Sequence, residues 1–198
     1  MADQTVVYIS GVSKGIGKSL LGHYLSLPNH IVIGSIRDKT APYVAELTAL
    51  PTAPGSRLAL VRVESTSPTD AVEAVKEAVS TLGIDKIDIV IANAGGARYT
   101  EEALVPLHEM TIEWTKEVFD LNTLGPVLLF QATRALLQKS KKPVWVTVSS
   151  AAGSIEAIEG YGTHRIPAYG MAKAAVNWAT VAMHSGNEWL IALAVHPG

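Results

Sequence analysis

Six short runs rich in valine and isoleucine punctuate the chain, at Thr5 to Ile9, His30 to Ile36, Arg57 to Val63, Ile87 to Ala92, Pro143 to Val148 and Leu190 to Val195. Each has the length of a strand and is too continuously apolar for a sheet with one wet face, so the runs read as strands buried on both sides. Segments with helical spacing separate them, at Gly15 to Leu27, Ala41 to Leu50, Pro68 to Leu82, Thr111 to Lys139 and Ala168 to Ser185. In Pro68 to Leu82 the residues Ala71, Val72, Val75, Ala78, Val79 and Leu82 form one apolar stripe opposite Glu73, Lys76 and Glu77, the pattern of a helix that covers a sheet. Strict alternation of strand and helix implies βαβ units with right-handed crossovers. The expectation is an α/β doubly wound fold, a parallel sheet of at least six strands with helices on both faces, built as a single domain over residues 1–198.

Composition removes several functions. With 16 Lys plus Arg against 18 Asp plus Glu the net charge is −2, without the basic face that nucleic acid requires. No apolar run approaches the ~18 residues of a membrane-spanning helix. The N-terminal residues Met1 to Thr5 carry neither a basic nor an apolar leader region, and there is no cysteine for a disulfide or a thiolate catalyst. These features fit a cytoplasmic protein. The six histidines are scattered, with no His-x-His or His-Glu-x-x-His spacing, so no metal site is expected.

The first strand runs into Ser10-Gly11-Val12-Ser13-Lys14-Gly15-Ile16-Gly17, and a helical segment begins at once. Glycines in this context let the backbone turn tightly and approach a diphosphate, while the helix start offers unpaired N–H groups to anionic oxygens. The neighbouring Gly17-Lys18-Ser19 mimics the end of a nucleoside-triphosphate loop, but that motif needs a glycine where Val12 stands. Lys18 therefore reads as a solvated helix residue.

The spacing Gly-x-x-x-Gly-x-Gly resembles the nucleotide turn of the short-chain dehydrogenase/reductase family, and five further motifs follow in the family's order. Ala92-Asn93-Ala94-Gly95 resembles the element that steadies the sheet beside the cofactor. Asn122, in Phe119-Asp120-Leu121-Asn122, matches the structural and catalytic asparagine. Ser150 falls in the serine motif Val148 to Gly153, Tyr169 to Lys173 matches Tyr-x-x-x-Lys, and Pro197-Gly198 matches the pair after strand six. More narrowly, Leu121 to Ala132, Ser149 to Ser154 and Ala168 to Asn177 resemble fungal ketoreductases of the norsolorinic-acid type and sniffer-like carbonyl reductases. The resemblance implies a Rossmann-type fold and reduction of an aromatic polyketide or similar ketone, or the reverse oxidation.

Hydride transfer to a ketone leaves an alkoxide that must be protonated as its charge develops. A free tyrosine has a pKa of ~10 and is a poor acid-base group near neutrality unless its phenolate is stabilised. Tyr169 and Lys173, at i and i+4, share a helix face, where the lysine cation favours the phenolate. The resemblance makes Tyr169 the acid in reduction, Lys173 its tuner and the holder of the nicotinamide ribose, Ser150 the donor that polarises the carbonyl, and Asn122 the holder of a relay water. Between Ser150 and Tyr169 lie 18 residues, longer than the family usually has. The extra residues include Glu156, Glu159, Tyr161, His164 and Arg165, and His164 reads as a solvated loop residue.

Cofactor choice falls at the end of strand two, where an acidic residue accepts from the ribose of NAD(H). That position reads as Ile36, followed by Arg37, whose guanidinium can fork onto a 2′-phosphate. Lys14 adds a second cation, so NADP(H) is expected over NAD(H). A register two residues later places Asp38 there and favours NAD(H). The family correspondence adds cofactor contacts from Gly11, Ser13, Gly15, Ile16 and Gly17, from Glu64 and Ser65 at the adenine, from Asn93, Ala94 and Gly95, and from Pro197 and Gly198. A homodimer or homotetramer through Thr111 to Lys139 and Ala168 to Ser185 is also implied, with Trp114, Phe119 and Trp178 as candidate contacts. In the resembled family a substrate-covering segment and a seventh strand follow Pro-Gly. Their absence from the sequence leaves open a catalytically silent dinucleotide-binding sensor or partner subunit as the alternative.

Overall fold

A computed structural model describes residues 4–97 and 103–198. Six parallel strands form one sheet in the order β3-β2-β1-β4-β5-β6: β1 (Thr5–Ser10), β2 (His30–Ile36), β3 (Arg57–Arg62), β4 (Ile89–Ala92), β5 (Val144–Val148) and β6 (Ile191–Val195). The order reverses between β1 and β4, which opens a crevice at the carboxyl ends of the strands where ligands of such folds bind.

Alternate residues of each strand serve two cores. Val6 and Tyr8 of β1 join Ile31, Ile33, Val90 and Trp145 beneath α3 (Asp70–Leu82) and α5 (Gly125–Leu137). Val7 and Ile9 join Val32, Ile91, Leu21, Leu25 and Leu47 beneath α1 (Gly15–Leu25) and α2 (Tyr43–Thr48). Trp145 is wholly buried, edge-on to Phe130 at 5.4 Å, and its indole N–H donates to Thr147. At β6 the outward set Ile191 and Leu193 is about half exposed, whereas Leu190 just before it is buried.

The segment expected as one helix over Thr111 to Lys139 is broken. α4 (Ile112–Phe119) passes through a wide π turn at Asp120–Leu124 before α5 begins at Gly125. Pro126 has no N–H for the carbonyl of Asn122 four residues earlier, so the α-helical ladder cannot continue there, and the chain accommodates an extra residue in one turn. Two buried side chains of this turn reach different neighbours. Asn122 reaches the loop after β4, and Thr123 Oγ1 donates to the carbonyl of Ala172 at 2.9 Å. Ala172 lies on α7 (Pro167–Ser185), the longest helix. The stretch Ser154 to Pro167, read as irregular from sequence, contains the short helix α6 (Ile158–Tyr161) and a single 3₁₀ turn at Thr163–Arg165.

Candidate active site

The glycine turn is bound to strands on both sides. The N–H groups of Gly11 and Val12 donate to the carbonyl of Ser35 on β2, each at 3.1 Å. From β4, Asn93 Nδ2 donates to the carbonyls of Ser10 and Gly11, at 2.9 and 3.1 Å, while Ser10 Oγ accepts from the N–H groups of Asn93 and Ala94. A Cβ at Gly17 would lie 2.2 Å from the carbonyl oxygen of Gly11 and 2.6 Å from Asn93 Nδ2. Gly15, at φ +57°, faces open space instead. Lys14 precedes α1 without a side-chain cap, and the helix has no acidic residue in its first turn. Its leading N–H groups are therefore left for an outside acceptor, and the surroundings favour an anion. The cradle fits a diphosphate.

At the end of β2, Arg37 is the first residue beyond the strand, and both Arg37 and Lys14 are exposed. Asp38, the rival for this position, has one carboxylate oxygen, Oδ1, engaged by Thr40. Its carboxylate accepts from Thr40 Oγ1 at 2.6 Å and from Thr40 N–H at 2.7 Å, and these bonds hold its carboxyl below the usual range. Lys18 pairs on the surface with Glu46 at 2.6 Å. After β3, the N–H of Glu64 donates to Asp70 Oδ2 at 2.9 Å, and Ser67 donates to the same carboxylate at 2.5 Å. The bonds from Ser67 and the Glu64 N–H hold the Asp70 carboxyl below the usual carboxylate pKa, with Arg62 at 2.8 Å assisting. This network fixes the loop that carries Glu64 and Ser65.

The other end of the crevice is built by α7. Pro167 opens the helix with its fixed φ, and one face then carries Tyr169, Lys173 and Asn177 at successive four-residue steps. Lys173 is buried, donates to the carbonyl of Val148 at 2.9 Å and lies 5.5 Å from the centre of the Tyr169 ring. Burial pulls its ammonium down to a pKa of about 8. Asn177 accepts from Ser149 Oγ at 2.6 Å and donates to the carbonyl of Gly153 at 3.3 Å, which ties the end of β5 to the helix. Ser150 Oγ accepts from the N–H of Ala152 at 3.2 Å, and among the described residues no acceptor takes its proton.

Asn122 connects this end to β4. Its Oδ1 accepts from the N–H of Gly96 at 2.8 Å, and its Nδ2 donates to the carbonyls of Gly96 and Val118 at 2.9 and 2.8 Å. Both polar atoms of the Asn122 carboxamide are thus bonded to protein. A Cβ at Gly95 would meet Asn122 Oδ1 at 2.8 Å and Lys173 Nζ at 3.6 Å, so Gly95, Asn122 and Lys173 converge. Pro197 and Gly198 follow β6, whose partner strand β5 leads into Ser149 and Ser150.

A cavity of about 150 Å³ opens beside Tyr169, lined by Gly96, Ala97, Ala103, Trp114, Ile166 and Tyr169. Trp114 and Phe119, read from sequence as candidate subunit contacts, pack here with Val118, Ala168 and Ala172 of the same chain, whereas Trp178 is 75% exposed. Of the long loop before α7 only Ile166 reaches the cavity, and His164 is exposed. Trp114, Ile166 and Thr123 are site residues that sequence reading did not single out as such. Asn177 was missed too, although its place four residues after Lys173 was a usable signal. Among the described residues no group of side chains has the makings of a metal site, and no helix is long and apolar enough to cross a membrane.

Comparison with known proteins gives this geometry a context. Residues 5–195 match the family model for short chain dehydrogenases. The short-chain dehydrogenase srdF of Neurospora crassa is 51% identical over 200 residues, covering all of this chain and 77% of that protein. The norsolorinic acid ketoreductase stcE of Emericella nidulans is 35% identical over 98% of this chain and 72% of its own. Among solved structures, the NADPH-bound carbonyl reductase from chicken fatty liver superposes with a TM-score of 0.86 at 28% identity, covering 98% of this chain and 79% of that one. A diphosphate cradle, a buried lysine against a tyrosine and a family match running from the first strand to the last lead to one conclusion: the chain belongs to the short-chain dehydrogenases, oxidoreductases that use a nicotinamide dinucleotide.

Proposed function

We propose that the protein is an NADP(H)-dependent carbonyl reductase that converts a ketone to an alcohol or runs the reverse reaction. The observation that carries this reading is the junction of Tyr169 with buried Lys173 at the wall of a cavity. The dinucleotide, when bound, supplies or accepts the hydride. The chain has three tasks left: to hold it, to orient the carbonyl and to move one proton.

Holding falls to the N-terminus of α1 with Gly11, Ser13, Lys14, Gly15, Ile16 and Gly17 at the diphosphate. Arg37 and Lys14 take the 2′-phosphate, and the exposure of both cations at the end of β2 and the start of α1 supports this choice over NAD(H). Glu64 and Ser65 flank the adenine. Asn93, Ala94 and Gly95 line the middle of the dinucleotide, with Pro197 and Gly198 at its nicotinamide end. Orientation falls to Ser150, whose uncommitted proton can bond to the carbonyl oxygen. In reduction Tyr169 Oη gives its proton to the developing alkoxide, and in oxidation it takes the proton back. Lys173 favours the phenolate and holds the nicotinamide ribose. With the Asn122 carboxamide engaged, its main-chain carbonyl, to which Pro126 has no N–H to give, is the atom left for a relay water.

The names of the relatives support an aromatic ketone of polyketide type as substrate. Met171, Trp178 and Val181, exposed along one face of α7, support a homodimer or homotetramer, and a cytoplasmic location completes the proposal. The deciding experiment follows NADPH oxidation over a panel of ketones with wild type and Tyr169→Phe. Removing the acid is expected to cost about 10²–10⁴-fold in turnover with NADPH binding retained. NADPH binding without turnover of any ketone would favour a silent dinucleotide-binding protein. Arg37→Ala is expected to weaken NADPH by roughly ten- to a hundredfold and leave NADH unchanged, the cost of losing a charge-assisted bond. Tighter binding of NADH by wild type would overturn the cofactor assignment.

A further inference from the structure

The two hydroxyls of the proposed reaction stand on different elements. Ser150 follows β5 and opens the 3₁₀ turn Ala151–Gly153, where its Oγ accepts from the N–H of Ala152 in the same turn. Tyr169 stands in the first turn of α7. Among the described residues the Ser150 side chain makes no bond to that helix. A carbonyl oxygen that bonds to both hydroxyls needs them at a fixed separation, and a misplacement of about 1 Å at a reacting centre costs up to 10²-fold in rate. That separation is set by whatever holds the turn against the helix.

One side chain of α7 grips the chain on both sides of Ser150. Asn177 Oδ1 accepts from Ser149 Oγ at 2.6 Å, and its Nδ2 donates to the carbonyl of Gly153 at 3.3 Å, so a single carboxamide spans the residue before Ser150 and the last residue of its turn. Ser149 is buried, and its N–H donates to the carbonyl of Val195 on β6 at 2.7 Å, which anchors the grip in the sheet. Gly153 brings the turn hard against α7: a Cβ there would lie 2.7 Å from the main-chain carbonyl carbon of Lys173 and 2.8 Å from Asn177 Nδ2. Three residues further along, Thr180 Oγ1 bonds to Thr147 Oγ1 at 2.7 Å and already ties the helix to the body of β5. The tie at Asn177 differs in bracketing a hydroxyl that the reaction uses. We infer that Asn177 is a positioning residue, which by holding Ser149 and Gly153 sets where Ser150 stands relative to Tyr169, a role that rests on the reductase reading and adds a residue to it.

The decisive experiment is a double-mutant cycle on kcat, with Asn177→Ala, Ser150→Ala and the double variant reducing acetophenone, or whichever ketone of the panel wild type reduces fastest. Rates are taken per NADPH-binding site, so that unfolded protein does not count. Asn177→Ala is expected to lower kcat by about ten- to thirtyfold, with ketone KM within about threefold of wild type. Ser150→Ala, which removes the hydroxyl itself, should cost about 10²–10³-fold. On the Ser150→Ala background, Asn177→Ala should cost at most about twofold more, because a residue that acts through Ser150 has nothing left to position. Thr180→Val is the matched structural control: it cuts the neighbouring tie between the same helix and strand, and should lower the denaturant midpoint while leaving kcat within about twofold. If Asn177→Ala yields no NADPH-binding protein, Ser149→Ala, which removes the shorter of the two bonds, runs the same cycle with an expected loss of about three- to tenfold. An unchanged kcat in the variant tested, a loss that persists in full on the Ser150→Ala background, or an equal loss in Thr180→Val overturns the inference and leaves the reductase standing. Wild type that binds NADPH but reduces no ketone of the panel overturns the reductase reading and this inference with it.

Discussion

The two ends of the crevice are built by different means. Around Gly11 and Gly17 the shape is set mostly by main chain: β1, β2 and β4 lie side by side, and the turn is fixed by N–H and carbonyl groups that belong to those strands or directly follow them. Around Tyr169 the shape is set by side chains that cross long stretches of sequence, from Asn122 to Gly96, from Thr123 to Ala172 and from Lys173 to Val148. A site built from backbone tolerates substitution wherever no Cβ intrudes and fails sharply where one does. A site built from long-range side chains is weakened one contact at a time.

The largest expected effect breaks the first end. Gly17→Ala places a methyl 2.2 Å from a main-chain oxygen that the strands do not let move. We expect a loss of stability on the order of 3 kcal/mol, the size of severe backbone or packing lesions, together with loss of NADPH binding, both readable by denaturant titration and cofactor fluorescence. Gly15→Ala sharpens the contrast, because nothing lies within 4 Å of its Cβ and only the left-handed φ of +57° resists it. That strain is worth roughly 1–2 kcal/mol. Equal losses in the two variants would show that conformation, not close approach, governs the turn.

The same division explains what could be read in advance. The nucleotide turn is local, and its glycines, strand and helix are contiguous, so Gly11 to Gly17 announces itself. The strand runs were legible for a similar reason, since burial on both faces leaves the continuous valine and isoleucine pattern seen in His30 to Ile36. The cavity was not legible, because Ala103, Trp114 and Ile166 come from three separate segments and none is unusual in its own neighbourhood. The π turn left one trace, Pro126 inside an apparently continuous helix. Proline there removes a donor, but only the structure shows that the ladder widens and which partners Asn122 and Thr123 take.

Asn122→Ala comes next and probes the second end. It removes the clamp on Gly96 and leaves that N–H, together with the carbonyls of Gly96 and Val118, without the side chain that served them. Unsatisfied groups of this kind cost about 1–3 kcal/mol, less where water enters the new space. Because Gly96 is a wall of the cavity, ketone KM should rise several-fold while the NADPH Kd changes little. A variant that lost cofactor affinity as severely as Gly17→Ala would dissolve the distinction between the two ends.

The variant expected to cost the fold nothing at neutral pH is also the one with the most informative pH dependence. Lys173 has a pKa of about 8 in the folded protein, against 10.5 when free, because burial penalises its charge. Between those values the unfolded chain binds more protons than the folded one, so the lysine makes stability rise as pH increases through the window. Below about pH 8 both states carry the proton and the penalty is complete; above about pH 10.5 both are neutral and it is gone. The difference corresponds to at most roughly 3 kcal/mol, offset in part by the bond to Val148, which is worth about 1 kcal/mol. Lys173→Met, similar in length and uncharged, should therefore be at least as stable as wild type at pH 7 even though it loses turnover, and the advantage should shrink toward pH 10. Paired denaturant titrations across that range isolate the lysine, since all other titrating groups are common to both proteins. A variant less stable than wild type at pH 7, with no convergence at high pH, would mean that Lys173 stabilises the fold, and its burial would then need no catalytic reason.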